Sequence, residues 1–94
     1  MYQIKINPQP ELRIGDKIYT INNKLSTFRQ ILKSLSNGAN EMETVLALAL
    51  GEAAFAEIVA QDLPYATMQE IVINILAAIQ DMPVEEAKRR LYHG

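Results

Sequence analysis

The sequence predicts an α+β fold in one domain spanning residues 1–94: a small N-terminal antiparallel β-sheet of two or three strands packed on a bundle of about four helices. Three observations predict it. Short stretches within the first 21 residues carry strand-like apolar patterns, apolar residues recur at helix spacing from Leu25 onward, and cap and breaker residues separate these stretches. The β-hairpin region is placed at 1–22 and the helical region at 26–92. Ninety-four residues leave room for a single core, and a composition 49% apolar and 21% charged lies far from that of disordered chains.

Tyr2, Ile4 and Ile6 alternate with Gln3 and Lys5, the pattern of a half-buried strand. The run Asn7, Pro8, Gln9 and Pro10 stops it, because proline cannot donate to a central ladder. Leu12 and Ile14, then Ile18 and Ile21, flank Gly15 and Asp16, which read as a tight turn between antiparallel strands. So small a sheet is marginal alone and must lay its Ile/Leu face on helices.

Ser26 is read as the N-cap of the first helix, with Leu25, Phe28, Ile31, Leu32 and Leu35 facing inward, and Asn37 and Gly38 end it. Asn40 with Glu43 forms a capping box for a second helix that is expected to run to about Gln61. Gly51, in its middle, costs about 1 kcal/mol relative to Ala and is read as a close approach by another backbone or a slight bend. Asp62, Leu63 and Pro64 form a break, and Thr67 with Glu70 makes a second capping box. The following helix, Met68 to about Asp81, carries a stripe of Met68, Ile71, Val72, Ile75, Leu76, Ile79 and Met82, with Ile73 off the stripe and expected at the surface. Pro83 suits the first position of a last helix, whose inner face would be Val84, Ala87 and Leu91.

The stretch Thr44 to Ala60 is apolar on nearly every side, and Glu52 and Glu57 are its only charges. Ala49, Ala53, Ala56 and Ala60 share one face; Leu48, Phe55, Ile58 and Val59 form a bulky one. The bulky face is assigned to the core. The alanine face, with Met42 and Leu46 beside it, Glu52 and Glu57 at its margins and Ile73 on the next helix, supplies the candidate protein-interface residues.

Side-chain chemistry for catalysis is missing. The chain has no Cys, and its one histidine, His93, has no second histidine to join in a metal or nucleophile-base pair. Four glycines, at 15, 38, 51 and 94, form neither a phosphate loop nor a dinucleotide fingerprint. Adjacent Glu85 and Glu86 diverge by about 100° on a helix, so they serve a helix N-terminus better than a shared substrate. The expectation is a protein that is not an enzyme, with no catalytic, metal or cofactor-binding residues. The N-terminal residues lack a basic segment followed by an apolar one, and no apolar run reaches the roughly 20 residues of a membrane span, so a soluble, cytoplasmic protein with no membrane partner is expected.

Charge is segregated. Residues 1–38 hold six Lys or Arg against Glu11 and Asp16, whereas residues 34–87 hold nine Asp or Glu and no Lys or Arg. Basic and acidic regions are read as neighbours within the molecule or between copies; the competing reading is an acidic face that attracts a basic partner. Lys88, Arg89 and Arg90 sit where a helix C-terminus favours cations, and without interleaved aromatics they do not make a nucleic-acid patch.

The order of these pieces resembles a family. A hairpin (LRIGDKIYTI) leads to a helix with a Leu-rich face (LSTFRQILKSL), then to an acidic Ala/Leu helix with a central Gly-Glu (VLALALGEAAFAEIV), then to a helical pair whose second member opens Pro-x-Glu-Glu (MPVEEAKRRL). Over residues 11–91 the chain is similar to the small tail assembly chaperones and related tail-cluster proteins of long-tailed phages and prophages, particularly of Gram-positive hosts. The resemblance implies a non-catalytic protein of the host cytoplasm that self-associates as a homo-oligomer. It would coat an apolar helical client, the tape-measure protein, until tail tube subunits polymerise around that client. The alternative, from another class, is a small acidic regulator or adaptor that inhibits a basic nucleic-acid-binding protein.

Overall fold

A computed structural model describes residues 1–6 and 8–92, with side chains described through residue 89. The chain is α+β: an antiparallel hairpin of β1 (Glu11–Ile14) and β2 (Lys17–Thr20) precedes five helices, α1 (Leu25–Ser36), α2 (Glu41–Leu50), α3 (Glu52–Ala60), α4 (Tyr65–Gln80) and α5 (Val84–Tyr92). The sheet has two strands, not three. Tyr2, Ile4 and Ile6 have the expected alternation, yet residues 1–6 join no strand and all three side chains are almost fully exposed. The prolines after them account for this. Pro8 and Pro10 fix their own φ, and Pro10 steers Gln9 into extended backbone, which works against the reversal needed to lay the segment on β1.

Gly15 and Asp16 form the two-residue turn, with Ile14 paired to Lys17 and Leu12 to Tyr19. Gly15 takes φ +61°, which a side chain would oppose. This register puts Leu12, Ile14 and Tyr19 on the inner face and turns Ile18 to solvent beside Arg13. The expected inner residue Ile18 is thereby replaced by Tyr19, because one step along a strand exchanges its faces.

Helix α1 begins ahead of Ser26, with Lys24 in the N-cap position and no side-chain cap. The Asn22 side-chain oxygen accepts from the Lys24 N–H at 3.1 Å and shapes the entry instead. At the other end Gly38 takes φ +86°. Its N–H donates to Leu35 and that of Ala39 to Ser34, the paired bonds that close a helix on a left-handed residue. The Asn40 capping box forms as expected on its Asn side, with Asn40 Oδ1 accepting from the Glu43 N–H at 3.0 Å.

The long central helix is two helices. Gly51 adopts φ 96° and ψ 158°, a region essentially restricted to glycine, and stops α2 there before α3 begins. A Cβ at Gly51 would meet nothing within 4 Å, so no backbone approaches it closely; its role is to interrupt the helix. The second expected capping box does not form either. Helix α4 starts at Tyr65 behind Pro64, whose fixed φ and missing N–H suit a helix start, and Thr67 lies inside the first turn. Its far end closes on Asp81 at φ 52°, with Asp81 N–H to Ala78 and Met82 N–H to Ala77.

The main core joins Tyr19 and Ile21 from the hairpin with Ile31, Val45, Leu46, Ala49, Ile58, Ile71, Val72, Ile75 and Leu76. Fully buried aliphatic side chains such as Ile31, Ile58 and Ile75 each contribute about 1.5–3 kcal/mol of transfer free energy. Ile73 is only 3% exposed, contrary to its expected surface position. It packs with Ala77 and with Ala87 of α5 in a second, smaller cluster. Helix α4 is thus buried on two sides, which is why its apolar residues exceed a single stripe. In α5, Val84 is half-buried and Ala87 buried as expected, while the side chain of Leu91 lies outside the described residues.

Candidate protein-interaction surface

The candidate interface residues separate into three groups. Leu46, Ala49 and Ile73 are buried inside the fold and offer nothing to a partner. Met42 is half-buried beside a depression of about 420 Å³ between the starts of α2 and α4, where Glu41 and Glu43 form an acidic rim and Tyr65 stands exposed. Ala53, Ala56, Ala60, Glu52 and Glu57 are exposed together on α3. The break at Gly51 causes this division, since a stripe continuous along one straight helix is cut after Ala49 and its last three members turn outward. Of the bulky face, Ile58 is buried, Leu48 and Phe55 are half-buried, and Val59 joins the outside at 53% exposure.

A second apolar surface was not among the sequence-based candidates. On α1 the inward side is formed by Thr27, Ile31 and Leu35, leaving Leu25 and Leu32 exposed at 64% and 51%. Between α1, α4 and α5 lies a groove of about 210 Å³ lined by Phe28, Ile31, Leu32, Leu35, Leu76 and Ala87, with Glu41 and Gln80 as its polar members. Its lining is almost wholly apolar. The sequence carries a signal for it. Leu25, Phe28, Ile31, Leu32 and Leu35 span an arc wider than the contact a short helix makes with one core, so one side of the arc remains uncovered.

Electrostatics follow the segregation in the sequence. The Lys17 ammonium of β2 pairs with the Glu57 carboxylate of α3, a contact between a cation of the N-terminal region and an acidic helix within one molecule. Glu41, Glu43, Glu52, Asp62 and Glu70 remain at the surface along α2 to α4. Among the described residues no three His, Cys, Asp or Glu side chains converge as a metal-binding group, and no helix is long and apolar enough to cross a membrane. The groove offers apolar side chains, and the depression between α2 and α4 has an acidic rim. Comparison of the chain with protein families, characterised proteins and solved structures found no match.

Proposed function

We propose that this protein is a non-enzymatic binding protein of the tail assembly chaperone kind, which self-associates and covers an apolar helical client such as a tape-measure protein. The observation that carries the reading is the apolar groove between α1, α4 and α5 with Leu25 and Leu32 exposed on the same helix. An amphipathic helix laid in such a groove presents anchors at i, i+3, i+4 and i+7, the spacing the groove's own helices use. The exposed alanines of α3 give a second, flatter face for helix approach, suited to another copy. Light scattering of the purified protein, alone and co-expressed with a long apolar tail protein, tests this. A monomer that takes no client contradicts it.

One observation favours the acidic-regulator alternative. The depression rimmed by Glu41 and Glu43, with Tyr65 exposed beside it, suits a basic ligand side chain. Salt separates the two readings: binding through the acidic rim falls steeply with ionic strength, and binding in the apolar groove changes little.

A further inference from the structure

We infer that residues 1–6 of one copy add as a strand to the outer edge of β1 in a second copy. The inference rests on the self-association in the reading above and assigns it to the β1 edge in place of the alanines of α3.

Two halves of a β-interaction lie unused in the same chain. The donor half is Tyr2 to Ile6, about the length of an ordinary strand, with an apolar face of Tyr2, Ile4 and Ile6 that touches nothing. The acceptor half is the free edge of β1. A two-residue turn makes Ile14 and Lys17 a hydrogen-bonded pair, and the Ile21 N–H to Pro10 carbonyl bond at 2.8 Å fits the same alternation. The backbone groups of Glu11 and Arg13 consequently face the outer edge, where no hydrogen bond among the described residues takes them. Alongside that edge runs a depression of about 320 Å³ between β1 and α4, whose apolar wall is Leu12, Ile14 and Ile71. An added strand would lay its Tyr/Ile face over that wall and its Gln3 and Lys5 on the solvent side with Glu11 and Arg13. Arg13 and Glu70 line the same depression with opposite charges, so its apolar wall, and not its charge, receives the segment.

The connecting residues decide between the chain's own β1 and a neighbour's. Pro8-Gln9-Pro10 favours extended backbone, because both prolines fix φ and Pro10 excludes the helical region from Gln9. A tight return onto the same β1 needs helical or left-handed residues in the connection. Extended backbone carries the segment away from its own edge and presents it to another copy, which is how strand exchange between identical chains arises.

The absence of cysteine makes the test clean. Single-cysteine chains Lys5→Cys are mixed with Arg13→Cys, with Glu11→Cys, or with a control Lys33→Cys on exposed α1, and disulfide formation is followed. Light scattering is run on the wild type and on Ile4→Asp, which places a carboxylate on the face laid over Leu12, Ile14 and Ile71 and changes a side chain that is almost fully exposed in the single chain. Strand exchange predicts interchain disulfides with the β1 variants but not with the control, a wild-type mass above the 10.6 kDa of one chain, and reversion toward that mass in Ile4→Asp. A wild type at monomer mass, an unchanged mass in Ile4→Asp, or disulfides no more frequent with the β1 variants than with the control overturns it. Client capture in the same samples separates the two readings: a monomeric wild type that still takes the client overturns strand exchange and leaves the groove reading standing.

Discussion

The backbone N–H of Asn22 donates to the carbonyl of Ala49 at 2.8 Å, and that carbonyl is available because α2 ends at Gly51. In an unbroken helix it would accept from the N–H four residues on. The break therefore does two things at once. It ties the hairpin's exit to the end of α2, and it turns α3 so that Ala53, Ala56 and Ala60 face outward while Ile58 reaches the core.

Gly51→Ala separates the sequence expectation from the structure by sign. In a continuous helix, Ala would stabilise by about 1 kcal/mol. At φ 96° and ψ 158° it costs roughly 1–3 kcal/mol, all of it backbone strain since nothing crowds the position. The midpoint of urea unfolding reads the sign directly.

Asn40→Ala and Thr67→Ala test the two capping boxes. Loss of the Asn40 cap should cost about 1 kcal/mol. Thr67→Ala should stay within about 0.5 kcal/mol, because Thr67 lies inside α4 and caps nothing. Equal costs in thermal unfolding would show that the Thr67 box forms after all.

Tyr19→Phe should leave stability unchanged or raise it by up to about 1 kcal/mol. The Tyr19 ring belongs to the core, but its hydroxyl is buried with no hydrogen-bond partner among the described residues, so removing it takes away a desolvation cost and no bond. Ile21→Ala, in the same cluster, should instead cost about 2–5 kcal/mol. Chemical denaturation of both variants checks the contrast.

A double-mutant cycle on Lys17 and Glu57 should return a coupling below about 1 kcal/mol that shrinks further in salt, since both side chains are well exposed. The pair places the hairpin's charge beside α3 without holding the fold together. A coupling of several kcal/mol, insensitive to salt, would contradict this.

Much of the architecture was legible because it rests on local chemistry. The Gly15-Asp16 turn, the left-handed closure at Gly38, the Asn40 cap and the Ile71/Val72/Ile75/Leu76 stripe each follow from a few neighbouring residues. What was not legible depends on distant parts of the chain. Periodicity could not show that Gly51 would leave helical backbone, because the gain that offsets it lies in core contacts and in the bond from Asn22. Nor could it show which side of the wide apolar arc on α1 would be covered, or that α5 would bury Ile73. Tyr2 to Ile6 has strand periodicity and no strand partner in its own fold, since pairing needs an edge within reach as well as a pattern. The candidate surface moved for the same reason: Leu46 and Ala49 are claimed by the core, while Leu25 and Leu32 are left out of it.

Co-purification of an apolar helical tail protein with the wild type and with Leu32→Asp bears most directly on the proposed function. Leu32 is half exposed and lines the groove, so the charged variant should keep the helical circular-dichroism spectrum of the wild type. Burying an unpaired carboxylate against a client would weaken binding by about 2 kcal/mol or more, roughly thirtyfold. Client retained by the wild type and lost by Leu32→Asp is the predicted result; equal retention by both, or no retention by either, contradicts a client site in the groove between α1, α4 and α5.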